Sequence, residues 1–229
     1  MTAKSLGMDC HAVLFDLDGT LVDTAPDMVA ALHRLQTEMG VAQTDYKLAR
    51  TCVSNGSAGL VRIGFPDADA DADLQTGLQQ RFLRTYEQQV CASSAVFPGL
   101  DELLLTLEAQ GRPWGVVTNK PQAMTDAIMI TLRLHQRMGC AISGDTLPKR
   151  KPDPAPMLLA SRILNVEPQH IVYVGDARRD IEAGRAAGMA TVAAAWGYIT
   201  ADDDPERWQA HTVAASPAEL TQLVAKELG

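Results

Sequence analysis

Short apolar segments alternate with amphipathic helical patterns along most of the chain. The segments, each rich in valine, alanine or isoleucine, cover residues 12–15, 114–117, 140–142, 171–174, 191–194 and 212–214. Continuous apolar runs of this length predict strands that are buried on both faces, as in a parallel sheet covered by helices. Leu100, Leu103 and Leu107 repeat at helical spacing and predict one of the covering helices. The pattern is typical of an α/β fold with a doubly wound parallel sheet.

One stretch departs from this alternation. Helical periodicity runs through residues 28–39 and 74–86, and no convincing buried strand lies between the first strand and Pro98. We therefore predict a helical cap, residues 24–95, inserted into an α/β core made of residues 1–23 and 96–229. Since the cap follows the first strand directly, it should lie over the carboxyl edge of the sheet. The hinges should lie near both ends of the insertion.

Alternating aspartates between Asp67 and Asp73 resemble the opening of a calcium loop. Such a loop needs Gly at its sixth position and Glu at its twelfth, and no register of this segment supplies both. The segment instead predicts a solvated approach to a helix, with Asp73 as its N-cap.

Composition and charge exclude several classes of protein. The 229 residues are 46% hydrophobic and include 28 acids and 20 bases, for a net charge of -8. A chain of this kind buries a core, and its acidity argues against nucleic acid as a partner. Four separated cysteines without a C-x-x-C pair favour reduced thiols. With no signal peptide or membrane span in the sequence, the expected location is the cytoplasm.

Polar side chains follow several of the predicted strands. In chain order they are Asp16, Asp18, Thr118, Asn119, Lys151, Asp176 and Asp180. Because ligands bind at the carboxyl ends of the strands in such sheets, we expect these side chains to meet at one edge. Side chains two apart on a strand point to the same side, so Asp16 and Asp18 should converge. Adjacent carboxylates repel unless a proton or cation lies between them, and a hard divalent ion would relieve that repulsion.

Four motifs in order carry a family resemblance. They are F-D-L-D-G-T-L at residues 15–21, V-T-N-K at 117–120, K-P-D-P at 151–154 and G-D-x-x-x-D at 175–180. This set resembles the haloacid dehalogenase superfamily over essentially the whole chain, inserted cap included. Within the superfamily, the chain resembles the phosphoglycolate phosphatase branch at residues 23–27, 116–120 and 151–154. The resemblance implies a Mg²⁺-dependent phosphomonoester hydrolase that acts through an aspartyl-phosphate.

The resemblance also implies roles for individual residues. Asp16 would be the nucleophile and Asp18 the general acid and base. Thr118 and Lys151 would bind and stabilise the transferring phosphoryl group, with backbone N–H groups of Gly19 and Asn119 as further donors.

Mg²⁺ and the substrate would meet the remaining residues of the motifs. Asp16, the backbone carbonyl of Asp18 and Asp176 would hold the Mg²⁺, and Asp180 would orient the groups behind them. In the cap, Ser54, Asn55 and Gly56 resemble a substrate-specificity loop, although a plain turn explains Asn55 and Gly56 equally well.

The substrate stays open at this level. The branch implies a small phosphorylated metabolite, first 2-phosphoglycolate, while residues 179–185 and 197–208 also resemble bacterial N-acetylmuramic acid 6-phosphate phosphatases. A sugar phosphomutase would keep the same core residues, and a non-catalytic binding protein is disfavoured because the acids are intact. The chain departs from the family at Ala177, where Ser is more common, and at Arg179, where Asn is. We expect no nucleic acid or membrane partner, and a monomer or homodimer.

Overall fold

The computed structural model describes residues 6–228. In chain order the strands are β1 (Ala12–Phe15), β2 (Val22–Asp23), β3 (Ala95–Val96), β4 (Trp114–Val117), β5 (Cys140–Ile142), β6 (Ile171–Gly175), β7 (Ala190–Ala194) and β8 (Thr212–Ala214). The α-helices are α1 (Ala25–Glu38), α2 (Tyr46–Thr51), α3 (Gly56–Gly64), α4 (Ala72–Glu87), α5 (Leu100–Ala109), α6 (Gln122–Thr131), α7 (Ala155–Leu164), α8 (Arg178–Ala186) and α9 (Pro217–Glu227).

Parallel strands form the central sheet, in the order β5-β4-β1-β6-β7-β8. From β1 to β7, α-helices connect the successive strands of this sheet, so the predicted doubly wound α/β fold is confirmed. The apolar segments of the sequence correspond to these strands, with β6 reaching one residue further, to Gly175, and β7 starting one residue earlier, at Ala190.

Strand β1 shows why continuous apolar segments mark this sheet. All four of its residues are fully buried. Val13 and Phe15 pack into one hydrophobic cluster, whereas Ala12 and Leu14 pack into another. Because successive side chains point to opposite faces, a strand covered by helices on both sides must be apolar at every position.

The sheet order places a ligand-binding crevice at β1. From β1 the chain adds strands first on one side, through β4, and then on the other, through β6. In doubly wound sheets ligands bind beside the carboxyl ends of the strands, at the point where the strand order reverses. The side chains that follow β1, β4 and β6 therefore border the same crevice.

Four α-helices, α1 to α4, lie between β2 and β3. Two of them, α1 and α4, cover the stretches with helical periodicity, whereas α2 and α3 had no such signal in the sequence. A short antiparallel ribbon joins this segment to the sheet domain, pairing Val22 with Val96 and Asp23 with Ala95. The sequence missed the ribbon because two residues are too few to show a period. The boundaries of the cap, residues 24–95, stay a prediction.

Two carboxylates organise the helices of the cap segment. Asp71 caps α4, accepting hydrogen bonds from the N–H groups of residues 73 and 74 at 3.1 and 3.0 Å, so the predicted N-cap Asp73 is wrong. Both aspartates have the right chemistry, and the helix starts two residues earlier than expected. Asp27, buried in α1, accepts hydrogen bonds from the backbone N–H groups of Ser93 and Ser94, which fastens the end of the segment to its beginning.

Candidate active site

The ends of β1, β4 and β6 bring the predicted polar side chains together. Asp16 directly follows β1, Thr118 follows β4, and Asp176 follows β6. Backbone pairing continues past the strands, since the N–H of Asp16 donates to Val174 O at 2.8 Å and that of Thr118 donates to Ile142 O at 2.9 Å. The sheet thus fixes the backbone that carries these side chains.

Lys151 lies under the crevice with a side chain that is 0% exposed. Its Nζ is 2.9 Å from Asp16 Oδ1 and 2.7 Å from Asp180 Oδ1. The same ammonium donates to the carbonyl of Val117 at 2.8 Å and meets the hydroxyl of Tyr173 at 2.9 Å. A buried ammonium persists only with such partners, so Lys151 is a fixed positive charge beside Asp16.

Asn119 fixes the backbone of Lys151. Its Nδ2 donates to Lys151 O and its Oδ1 accepts from Lys151 N, both at 3.0 Å. The sequence predicts Asn119 as a backbone N–H donor to phosphate. The structure adds a different task for its side chain, which clamps the loop that carries Lys151.

Three buried carboxylates gather next to this ammonium. Oxygens of Asp16, Asp176 and Asp180 lie within 4.8 Å of one another. Burial, followed by the negative charges of Asp16 and Asp180, raises the pKa of Asp176 to about 7. Burial also raises the pKa of Asp180, against the opposing effect of Lys151. Three carboxylates thus face one ammonium, which leaves negative charge unbalanced. Clustered carboxylate oxygens are the ligands that a hard divalent cation such as Mg²⁺ prefers, so the cluster fits such an ion.

Asp180 therefore has two kinds of contact. The sequence predicts it as an orienting residue, and it pairs with Lys151 and accepts from the N–H of Ala177 at 3.0 Å. It also stands close enough to Asp16 and Asp176 to belong to the carboxylate cluster. Among the described residues, the Asp18 side chain does not belong to this cluster. That its backbone carbonyl binds the metal stays a prediction.

Two glycines leave room for the Asp176 carboxylate. A Cβ on Gly197 would lie 2.2 Å from Asp176 Cβ, and one on Gly19 would lie 2.1 Å from Asp176 Oδ2. Gly19 also has a φ of +81°, which disfavours other residues. Its N–H, predicted to face a phosphate, donates to Val22 O at 3.0 Å. The contribution of Gly19 is that it has no side chain, which leaves space for the Asp176 carboxylate.

Asp18 occupies a different wall of the crevice. Its Oδ1 accepts from the hydroxyl of Thr24 at 2.5 Å and from Lys120 Nζ at 2.9 Å. Burial alone would lower the pKa of Lys120, but the charge of Asp18 raises it above its ordinary value, so the side chain is an ammonium. Lys120 also lies 4.6 Å from the ring centroid of Tyr86. Sequence reasoning missed Lys120 and Tyr86, although Lys120 belongs to the V-T-N-K motif.

The predicted cap residues reach the same crevice. Ser54 Oγ donates to Asp176 Oδ2 at 2.6 Å, and Arg179 Nη2 donates to Ser54 O at 2.6 Å. Asn55 and Gly56 line the cavity beside them. Arg179 is half-buried and lines the same cavity, whereas its neighbour Arg178 is exposed.

The cavity has a volume of about 550 Å³. Asp16, Asp18, Thr118 and Asn119 form its polar floor, and residues of α3, α4 and the preceding turn form its roof. The polar side chains around it are Ser54, Asn55, Ser57, Gln79, Tyr86, Lys120, Arg150 and Arg179. Two carboxylates and several cations thus surround a space fit for an anionic small molecule.

A family model described as haloacid dehalogenase-like hydrolase matches residues 13–194. The chain belongs to the haloacid dehalogenase-like hydrolase family. This match confirms the resemblance to the haloacid dehalogenase superfamily that the four motifs indicate.

Relatives in this family share most of their length with the chain. It is 43% identical to a phosphoglycolate phosphatase of Xanthomonas campestris pv. campestris (strain 8004) over 215 residues, covering 94% of this chain and 96% of the relative. It is 41% identical to an N-acetylmuramic acid 6-phosphate phosphatase of Pseudomonas putida (strain KT2440) over 217 residues, covering 95% and 97%.

A solved crystal structure has the same fold. The crystal structure of a predicted phosphoglycolate phosphatase from Haemophilus somnus 129pt aligns with a TM-score of 0.83 at 26% identity. The alignment covers 95% of this chain and 99% of that one. The inserted helices are therefore included in the match. The chemical roles of the individual residues remain predictions.

Proposed function

We propose that the chain is a Mg²⁺-dependent phosphomonoester hydrolase that transfers the phosphoryl group to Asp16. The observation that carries this proposal is the position of Asp16 at the floor of the cavity, where Lys151 Nζ lies 2.9 Å from its carboxylate. The relatives named for phosphatase activity support the same reaction.

Asp16 attacks phosphorus and forms an aspartyl-phosphate, which divides one difficult hydrolysis into two easier steps. Its Oδ1 is held by Lys151 and by the N–H of Leu17 at 2.7 Å, so the second oxygen is the one to attack. Lys151 places positive charge where the phosphoryl group gains negative charge. Thr118, 4% exposed at the cavity floor, offers its hydroxyl to the phosphoryl oxygens.

Asp18 protonates the leaving alkoxide and then removes a proton from the water that hydrolyses the aspartyl-phosphate. Its side chain is 16% exposed and lines the cavity, which gives it access to both the leaving group and water. Thr24 and Lys120 hold its carboxylate at the cavity wall, from which we propose that it acts beside the nucleophile and not in line with it.

Asp16, Asp176 and the backbone carbonyl of Asp18 would hold the Mg²⁺. When bound, the ion supplies positive charge that offsets the phosphate and the clustered carboxylates. Asp180 fixes Lys151 from behind at 2.7 Å. Ser54 extends this network into the cap through its hydrogen bond to Asp176.

The substrate proposed first is 2-phosphoglycolate, in line with the Xanthomonas relative. N-acetylmuramic acid 6-phosphate is the second candidate, because the Pseudomonas relative is named for it and the cavity of about 550 Å³ exceeds what a two-carbon ester needs. Comparing kcat/KM for the two esters decides between them. A preference for 2-phosphoglycolate supports the first, and a preference for the sugar phosphate replaces it with the second.

Turnover of p-nitrophenyl phosphate with Mg²⁺ tests the reaction itself. Wild type should hydrolyse the ester, and Asp16→Asn should reduce the rate to background. A matched control is Asp153→Asn, which changes a carboxylate that pairs with Lys149 outside the cavity. Equal rates for wild type and Asp16→Asn would remove the proposal.

We also propose a cellular location, a partner and an oligomeric state for the chain. Among the described residues, every helix is too short or too polar to span a bilayer. All four cysteines are free thiols, which suits the reducing cytoplasm that we propose as the location. We propose a small phosphorylated metabolite as the partner, and a monomer or homodimer in solution. Gel filtration with light scattering measures the latter.

A further inference from the structure

Lys120 is a buried cation that the proposed reaction leaves without a task. It lies in the loop between β4 and α6, whereas Asp18 follows β1. Its Nζ is 2.9 Å from Asp18 Oδ1, and its side chain is 4% exposed. Burying an ammonium costs free energy unless it is well paired, so the ion pair with Asp18 is needed to keep Lys120 buried in the crevice wall.

The other neighbours of the Lys120 ammonium belong to the cap helices. Nζ lies 4.6 Å from the ring centroid of Tyr86 in α4 and 3.8 Å from Met28 Sδ in α1. A cation over an aromatic face is attracted by the ring, more strongly when water is excluded, and here both groups are buried. Lys120 therefore joins a carboxylate of the sheet domain to two helices of the cap.

We propose that Lys120 is a positioning residue for Asp18. It holds the Asp18 carboxylate at the cavity wall, and Tyr86 and Met28 hold Lys120, so the placement of Asp18 depends on the cap being packed over the site. The inference rests on the proposed function, in which Asp18 protonates the leaving group.

A second task for Lys120 would be to bind another anionic group of the substrate. The ammonium already contacts Asp18, Tyr86 and Met28 and is almost fully buried, which favours positioning. The two tasks make different predictions for substrates that carry no second charge. The experiment therefore uses phenyl phosphates whose leaving groups carry no charged substituent, from phenyl phosphate to 4-nitrophenyl phosphate.

The readout is how strongly kcat/KM depends on the leaving group. A good leaving group departs without protonation, so loss of a general acid affects the poor leaving groups most. We expect Lys120→Met to lower kcat/KM about 10²-fold for phenyl phosphate and less than about 5-fold for 4-nitrophenyl phosphate. The ratio of the two values is independent of the fraction of enzyme that is folded.

Three comparisons complete the experiment. Asp18→Asn should show the same steep dependence, and the double variant Asp18→Asn/Lys120→Met should be no worse than Asp18→Asn, because residues that act through one another are not additive. Tyr86→Leu should steepen the dependence, whereas Tyr86→Phe keeps the aromatic face and should not. Lys149→Met, an exposed lysine changed in the same way, should match wild type.

The results separate the inference from the proposed function. If Asp18→Asn steepens the dependence and Lys120→Met does not, Lys120 does not position Asp18 and the inference is overturned. Additive losses in the double variant overturn it as well. A selective loss for 2-phosphoglycolate with an unchanged phenyl series assigns Lys120 to substrate binding and also overturns it. If Asp18→Asn itself leaves the dependence unchanged, the role of Asp18 in the proposed function fails.

Discussion

Replacing Lys151 with Met leaves Asp16 and Asp180 buried without their shared counter-charge. The ammonium lies 2.9 and 2.7 Å from the two carboxylates, and neither carboxylate side chain is more than 4% exposed. At an effective dielectric constant of about 20, each contact is worth about 6 kcal/mol of Coulomb attraction. Proton uptake and relaxation offset much of that loss, and removing one partner of a buried pair costs about 3–5 kcal/mol.

The assay is thermal and urea unfolding of metal-free protein. For a chain of this length the expected loss corresponds to a fall in Tm of about 6–20 °C. The loss should be larger at pH 8 than at pH 5.5. Without Lys151, the folded carboxylates hold protons that the unfolded chain releases, so raising the pH removes stability.

Two variants control the Lys151 experiment. Lys149→Met removes an exposed ammonium that is 3.0 Å from Asp153, and it should change stability by no more than about 0.5 kcal/mol. Adding Asp180→Asn to Lys151→Met should restore part of the stability, because one unpaired carboxylate is gone. A Lys151→Met protein within about 1 kcal/mol of wild type at pH 8 would refute the reasoning, since that is below the cost of an unpaired buried charge.

Three further predictions concern Asp176, the glycine packed against it, and the loop that carries Lys151. Burial raises the pKa of Asp176 from its ordinary acidic range to about 7, so metal-free protein should lose stability between about pH 4 and pH 7, because the unfolded chain releases the proton first. Mg²⁺ should then raise Tm more at pH 8 than at pH 5.5, and equal increments would contradict this. Gly197→Ala should displace Asp176 and raise the Mg²⁺ concentration needed for half-maximal turnover. Gly77→Ala is the control, because open space surrounds that glycine, and it should leave the Mg²⁺ requirement unchanged. The same Mg²⁺ requirement in both variants would count against the close packing of Gly197 on Asp176. Asn119→Ala should cost about 1–3 kcal/mol in urea unfolding, because both hydrogen bonds to Lys151 are lost, and an unchanged midpoint would argue against the clamp.

The fold follows from the sequence because its signals are local. Most of the parallel strands are continuous apolar runs, and the sheet order then places Asp16, Thr118 and Asp176 at one edge. The β2–β3 ribbon gave no such signal, since its two-residue strands have no period. The start of α4 was misplaced because Asp71 and Asp73 are both competent caps, and only tertiary packing decides between them.

The finer contacts of the site depend on long-range side-chain directions. Lys120 is 102 positions from Asp18, and Ser54 is 122 from Asp176, so no spacing in the sequence predicts that they meet. Tyr86 fits a helical apolar face, which indicates burial but not that its ring faces an ammonium. Gly19 was recognised within its motif, yet only the backbone geometry reveals that its N–H is already bonded.

The central claim, that Asp16 becomes phosphorylated, is tested by acid quenching during turnover of 4-nitrophenyl phosphate with Mg²⁺, followed by peptide mass spectrometry. Asp18→Asn is the best variant for this experiment. The 4-nitrophenolate leaving group departs without a general acid, whereas hydrolysis of the aspartyl-phosphate lacks its general base, so the intermediate should accumulate. The account predicts one added phosphoryl group on the peptide that contains Asp16, and none in Asp16→Asn. Turnover by wild type with no phosphorylated peptide in Asp18→Asn, or a phosphoryl group on another residue, would contradict it.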